Sequence, residues 1–477
     1  MSARLHALLL VLLFCVAGFF ATYHLTESPP VWYDEGFYIQ SAANLATYSQ
    51  MGLRIEPGVI EPPSKLITVG YPLIYPLAGW FKVFGISVLS ARSLMVLFIL
   101  GFLFSSYLLA RCLFNKDIAL GVLALLVTLP TLYGNGKSVL GEVPGLMYLV
   151  LFLVCFAFAR SSATKKYLWL ILSGLLAGLC VATKPTFLLL LPAIAVGAFI
   201  EWKRNTFNIK ELSVAVFVGF VPIVYWLVTQ FRTGDSLYYI FSDYVNPYQI
   251  QDMFQIILIN IGRLFTDAGP LYLTVILCIW AVALWIRQRR QEKIPTEEII
   301  VLVFSLLTVA SYVRTAGWYR YLFEAQALSL IFFPSALFIV AKSIIPNMGK
   351  IIVSAAVIIL TALGAYQILF NSFVAESYNS HKTAFLEKYF STDPSSASFF
   401  FYDVPEVASF DHSGNYYQYI SPSGWPIGKE ELVIIEKGIV DNIVARPNAY
   451  EGGKDTIFKL YTVEQTTHDY VFLKRNK

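Results

Sequence analysis

Runs of apolar residues long enough to cross a bilayer recur along this chain, and they decide its class before any other feature. The first is "LHALLLVLLFCVAGFFATYHL", residues 5–25. About eleven segments of this kind can be marked, at 5–25, 88–110, 117–133, 141–159, 167–182, 185–200, 212–230, 270–287, 298–314, 321–341 and 350–370. Only 14% of the 477 residues are charged and 57% are hydrophobic, whereas a soluble domain carries about a quarter charged residues. The reading is an α-helical polytopic membrane protein, which argues against a nucleic-acid partner. The first run is too long for a signal-peptide core and no small-x-small cleavage site follows it, so it reads as an uncleaved span. All five cysteines (Cys15, Cys112, Cys155, Cys180, Cys278) lie in or at the ends of apolar runs, which implies no disulfide framework.

Lys and Arg orient the spans. One set of connections holds Arg4, Arg111 and Lys116, Arg160 with Lys165 and Lys166, Lys203 with Arg204 and Lys210, four bases between Arg287 and Lys293, and Lys342 and Lys350. The other set is sparser. The expectation is a cytoplasmic N-terminus and, with an odd number of spans, a C-terminus outside the cytoplasm of an inner or plasma membrane. Residues 1–370 form the membrane module, with 26–87 as its first outer segment. Within that segment "GFYIQSAANLATYS" can start a helix, and "PLIYPLAGWFKVFG" suits a helix lying at the membrane surface. The composition changes at about residue 371. Residues 371–477 carry 14 acidic and 10 basic side chains, in a chain whose net charge is +4. Runs such as "ASFFFYDV", "ELVIIEKG", "TIFKLYTV" and "DYVFLKR" alternate with turn residues and read as strands of a small α/β or mostly-β domain outside the membrane.

The charges suggest chemistry at the outer face. "PPVWYDEGFYIQSAANLA" (29–46) places Asp34 and Glu35 just after the first span, at a helix start, where acids also serve as caps and dipole partners. Glu142 opens the fourth span at the same level, in "GNGKSVLGEVPG". Lys184 lies in the short turn "ATKPTF", and Arg314 and Arg320 lie in "RTAGWYRYLFE". Bases in short outer connections run against the usual charge bias, and a phosphate would explain them, since Arg forks and Lys point charges bind phosphate oxygens. A carboxylate nearby can take a proton from an attacking hydroxyl. Aromatics interleave, and Tyr33, Tyr71 and Tyr319 are candidates for contact with sugar faces. No Asp-x-Asp stands in the first loop and no His cluster exists, so no metal or other cofactor is assigned, although a divalent ion bridging carboxylate and phosphate would be chemically compatible.

These segments resemble the GT-C membrane glycosyltransferases, closest to the protein O-mannosyltransferase and aminoarabinose-transferase branch. The likeness rests on the outer "DE" that opens a helix, "YPLIY" with "FGIS", "LGEVPGLMYLVL", "GLCVATKPTFLLLLP" and "RYLFEAQALSLI", and it covers roughly residues 5–370. It implies a GT-C-like fold and an inverting transfer of a sugar from a polyprenyl-phosphate carrier to a glycan, lipid or protein acceptor outside the cytoplasm. The family's first-loop base falls on Asp34, and the acid of its second outer loop falls on Glu142. Glu35 or Glu142 would orient the acceptor. Family members often carry a base before the surface helix, where this chain reads Gly70-Tyr71-Pro72, so holding the carrier phosphate falls to Lys184 and Arg320, with Arg314 and Lys65 in reserve. The competing readings are a lipid-linked polymer ligase and a transporter or flippase. Transporters keep ionisable groups near mid-membrane, and here the middles of the spans are nearly free of charge.

Overall fold

The computed structural model describes residues 2–62, 68–162, 164–230, 252–392, 397–420 and 429–476. They separate into two compact units: Met1–Leu25, Val69–Leu73 and Ser93–Glu376 in one, and Thr26–Thr68, Ile74–Arg92 and Ser377–Lys477 in the other.

The first unit is helical. Its chain runs through α1 (Ala3–Thr22), the start of α3 (Tyr71–Phe84), most of α4 (Val88–Leu113), α5 (Lys116–Val127), α6 (Pro130–Gly136), α7 (Glu142–Ser161), α8 (Lys166–Thr183), a 3-10 turn at Pro185–Leu189, α9 (Leu190–Lys203) and α10 (Ile209–Gln230). It continues through α11 (Met253–Thr266), α12 (Ala268–Arg289), α13 (Thr296–Tyr312), a 3-10 turn at Tyr319–Leu322, α14 (Phe323–Ile344), α15 (Gly349–Phe370) and the short α16 (Phe373–Glu376). Local chemistry sets several of these limits. Ser2 caps α1 on Leu5 N, and Asn115 caps α5 on the amides of Asp117 and Ile118. Pro130 sits in the first turn of α6, which is bent by 59° from α5.

Each apolar segment marked in the sequence is helical here, but not all are full spans. Among the described residues nine helices are long and apolar enough to cross a membrane, and ten if the bent pair α5–α6 is one span. The remaining marked segment is α13, whose 17 residues make a helix of about 26 Å, at the lower limit of roughly 17 residues for a span. The helices α7 and α4 are mostly buried, whereas α15 is mostly exposed. Two glycines on one face of α8 let α10 come close: a Cβ on Gly174 would lie 2.1 Å from Ala215 O, and one on Gly178 would lie 2.2 Å from Gly219 O. This is the small-xxx-small solution for helices that gain nothing from water exclusion between them. At one end of the bundle, buried ion pairs tie helices together. Arg160 donates to Glu297 at 2.6 and 2.7 Å and to Glu201 at 3.3 Å, and Arg287 to Glu298 at 2.6 Å.

The second unit joins Thr26–Thr68 and Ile74–Arg92 to the C-terminal residues Ser377–Lys477. It holds α2 (Tyr33–Tyr48), the hairpin β1 (Leu53–Glu56) and β2 (Val59–Glu61), α17 (Lys382–Thr392), β3 (Phe399–Tyr402), α18 (Pro405–Ala408), β4 (Tyr416–Tyr419), α19 (Lys429–Glu436), β5 (Asn442–Ala445), α20 (Pro447–Gly453), β6 (Tyr461–Thr466) and β7 (Val471–Arg475). The main sheet has the order β4-β3-β5-β7-β6, with β3 parallel to β4 and β5, and antiparallel pairing of β7 with β5 and β6. Strand alternation divides its residues between two faces. Phe399, Phe401 and Phe472 meet Phe385, Tyr389 and Phe390 of α17, while Phe400, Ile443 and Leu473 share a core with Ile435 of α19. Glu27 caps α17 from a distance, accepting from Thr383 N at 3.0 Å and Ala384 N at 2.9 Å.

The sheet corrects two strand expectations. "ELVIIEKG" is mostly helix α19, because a short apolar run cannot by itself be told from a buried helix. "TIFKLYTV" becomes strand only from Tyr461. The helices expected at "GFYIQSAANLATYS" and "PLIYPLAGWFKVFG" are α2 and α3.

Candidate active site

The first unit gathers charge where α7, α8 and α14 begin or end. Pro185 disfavours helical backbone at the residue before it, and Lys184 is accordingly extended, with φ −157° and ψ 142°, as α8 stops. The Gly70 amide donates to Thr183 O at 2.9 Å and holds this chain end in place. Lys184 Nζ donates to Glu142 Oε1, at the first residue of α7, where a carboxylate also meets the positive end of the helix dipole. Both side chains are buried. The other oxygen of Glu142, Oε2, is buried and has no hydrogen-bond partner among the described residues.

Two more charges act on this pair. Arg320 is half-buried, with its guanidinium 5.5 Å from the ring centres of both Trp318 and Tyr321, which are stacked. Arg320 and Lys184 both lie within Coulombic reach of Glu142 and of Glu324. Glu324, in the first turn of α14, is buried and was not among the residues singled out in the sequence. A signal for it existed: it follows Arg320 by four residues, one turn, in "RYLFE". The connection that carries Arg320 is held by α11, where Asn260 Nδ2 donates to Thr315 O at 2.7 Å and Arg263 Nη1 to Gly317 O at 3.2 Å. The structure thus brings Glu142, Lys184 and Arg320 together and adds Glu324.

Other candidates lie elsewhere or do other work. Arg314 is exposed. The ring of Tyr319 packs over Gly269. Tyr71 opens α3, donates to Pro222 O at 3.4 Å and packs edge-on against Tyr225. Lys65 lies outside the described residues. Among the described residues no group of three or more His, Cys, Asp or Glu side chains is placed to hold a metal ion.

The second unit presents the other acids on α2. Glu35 is fully buried and takes a two-pronged grip from Arg92, Nε to Oε1 at 2.9 Å and Nη2 to Oε2 at 2.7 Å. Trp32 N also donates to Oε2 at 3.2 Å, which caps the helix. The remaining donor of Arg92, Nη1, reaches the carbonyls of Thr26 and Pro29. Asp34 stands beside this anchor in the first turn, half-buried. The Tyr33 hydroxyl donates to Asp403 Oδ1 at 2.6 Å. Burial, and then the negative charges of Asp403, Glu406 and Asp34, push the Tyr33 phenol well above its ordinary range, so it stays protonated as a donor.

A multi-pass helical bundle of this kind with a small C-terminal sheet is the GT-C fold. A family model described as dolichyl-phosphate-mannose-protein mannosyltransferase matches residues 72–226, the stretch that holds Glu142 and Lys184. ArnT from Cupriavidus metallidurans bound to undecaprenyl phosphate is similar over 99% of this chain and 98% of its own, with a TM-score of 0.66 at 12% identity. The archaeal oligosaccharyltransferase AglB from Archaeoglobus fulgidus, in complex with an inhibitory peptide and a dolichol-phosphate, is similar over 98% of this chain and 74% of its own, with a TM-score of 0.59 at 13% identity. No curated protein matches in sequence. At such identities the likeness establishes the fold, and the work of individual residues has to be argued from their surroundings.

Proposed function

We propose that this protein is an inverting glycosyltransferase that moves a sugar from a polyprenyl-phosphate carrier to an acceptor hydroxyl on the extracytoplasmic face of a cell membrane. The observation that carries the reading is the gathering of buried Lys184, Glu142 and Glu324 with half-buried Arg320, where one oxygen of Glu142 has no hydrogen-bond partner among the described residues. Two cations beside a membrane-spanning bundle suit the phosphate of a lipid carrier. The complexes of ArnT with undecaprenyl phosphate and of AglB with dolichol-phosphate support that ligand class.

In this reading the acceptor oxygen attacks the anomeric carbon as the bond from that carbon to the phosphate oxygen breaks. The acceptor's proton passes to the Asp34 carboxylate, which acts as general base. The carrier leaves as polyprenyl phosphate, and Lys184 and Arg320 stabilise the charge that grows on it. Glu142 and Glu324 hold the two bases in place before the carrier arrives. Glu35 positions α2 rather than touching substrate, because Arg92 and Trp32 N occupy both its oxygens. The Lys and Arg bias of the connections supports the outer location.

The test is purified protein in proteoliposomes, supplied with a polyprenyl-phosphate carrier bearing radiolabelled sugar and with envelope extract as acceptor. Label should move to acceptor and free polyprenyl phosphate should appear in equal amount. Passage of sugar or carrier across the bilayer with no release of polyprenyl phosphate would sink the reading. Cysteines placed at Ser380 and Ser162 in a Cys-free background test the orientation: an impermeant reagent on intact cells should label the first and spare the second.

A further inference from the structure

The start of α2 is held by the C-terminal part of the second unit through three contacts on one side of the helix. Tyr33, its first residue, donates to Asp403 at 2.6 Å. One turn on, a Cβ on Gly36 would lie 2.4 Å from the Glu406 backbone nitrogen, so only glycine allows the two backbones this close. A further turn on, Gln40 Nε2 donates to Pro405 O at 2.8 Å and to Gln418 Oε1 at 3.1 Å. Residues 403–408 thus run along the first two turns of the helix that carries Asp34.

Asp403 is the unusual member of this segment. Its φ is +56°, in the left-handed region where Asp and Asn are the commonest residues after glycine. Its amide donates to Tyr419 O at 2.8 Å, so the backbone is anchored to the sheet edge just as the side chain turns to Tyr33. The Tyr33 hydroxyl keeps its proton in this setting, and the hydrogen bond has a fixed direction, from phenol to carboxylate.

Building on the assignment of Asp34 as general base, we infer that Asp403 is a positioning residue for it. Through Tyr33, Asp403 fixes the first turn of α2 and so the direction in which the Asp34 carboxylate points. The C-terminal segment is then part of the catalytic apparatus and not only an attached domain. A small misplacement of a catalytic group is enough to lower turnover steeply.

The test compares Asp403→Gly, Asp403→Asn, Tyr33→Phe and the double variant in the full-length protein. Glycine keeps the left-handed backbone and removes the acceptor; asparagine keeps both the backbone preference and an acceptor oxygen. Asp403→Gly and Tyr33→Phe should each lower kcat about tenfold while KM for the carrier and the thermal midpoint stay near those of the unaltered protein. Asp403→Asn should recover most of the loss, and the double variant should be no worse than either single change. Normal kcat in Tyr33→Phe, or losses that multiply in the double variant, would overturn the inference; if Asp403→Gly does not fold, Tyr33→Phe decides alone. Asp34→Asn is assayed alongside. If it turns over normally, the base assignment fails and this inference falls with it. If it is inactive while Asp403→Gly and Tyr33→Phe are normal, only the positioning role falls.

Discussion

Glu35–Arg92 and Glu142–Lys184 are both buried ion pairs at helix starts, and they are finished differently. In Glu35–Arg92 both carboxylate oxygens accept hydrogen bonds, and the spare guanidinium donor reaches two carbonyls. In Glu142–Lys184 one carboxylate oxygen has no hydrogen-bond partner among the described residues, and a second acid and a second base stand in Coulombic range. Removing charges from water costs several kcal/mol per ion, and good geometry with hydrogen bonds to both carboxylate oxygens is what offsets it. The closed pair meets that condition and reads as architecture. The open pair does not, and a group left incomplete in a buried place has capacity for a ligand.

The largest effect should come from breaking the closed pair. Arg92→Ala leaves a buried carboxylate without its partner, a change that typically costs about 3–5 kcal/mol. We expect a steep drop in the thermal midpoint in detergent, and partial recovery when Glu35→Leu removes the stranded charge. An Arg92→Ala protein of ordinary stability would erase the distinction between the pairs.

Asp34→Asn should leave stability near normal, because Asp34 is the second residue of α2 and not its cap, and the change removes only a charge–dipole contribution of about 0.3–1 kcal/mol. Turnover should fall by about 100-fold or more, at the low end for general-base catalysis. Full activity would return Asp34 to a structural role.

Arg320→Ala should lower turnover at saturating carrier by roughly 30-fold, less than the loss of a sole charge-stabilising donor because Lys184 remains. Arg320→Lys should recover only part, since it keeps the charge and loses the planar fork. If lysine matches arginine and alanine lowers only the thermal midpoint, Arg320 belongs with the architecture.

The smallest effect concerns Glu406, a third buried acid of intermediate finish. It accepts from Arg446 and from the Tyr470 hydroxyl, yet its Oε2 lacks a hydrogen-bond partner among the described residues. Burial pushes its carboxyl up, against the pull of Arg446 and Lys382. The folded state therefore holds the proton to higher pH than the unfolded state. Its contribution is fully present below the ordinary carboxylate pKa of about 4.3 and is lost as pH rises through the raised value. Glu406→Gln should flatten that decline in a series of thermal midpoints across pH; an unchanged slope would show that the group does not govern it.

How much of this was legible differs by kind. The helix behind Asp34 was readable because acids in a first turn followed by a helical run make a local signature. The extended Lys184 was readable from Pro185. Glu324 was passed over because an acid early in a span looks like any dipole partner, and only its one-turn spacing from Arg320 marks it. The engagement of Glu35 by Arg92 was not readable, since the two lie 57 positions apart and Arg92 sits in an ordinary helix start. The α19 helix was misread for want of any local difference between a buried strand and a short buried helix.

The sequence by itself determined the membrane class, the long apolar helices, the clustering of bases in alternate connections and which side chains have the chemistry of a base or a phosphate ligand. These follow from hydropathy, proline and charge, which act over a few neighbouring residues. Tertiary structure decided which charges meet: Glu142 with Lys184 across 42 positions, Tyr33 with Asp403 across 370. A helical pattern records which side of a segment is apolar, not which neighbour covers it. The energy of an ion pair or a hydrogen bond belongs to both partners and their shared surroundings, so it takes its value only once the helices and strands have packed.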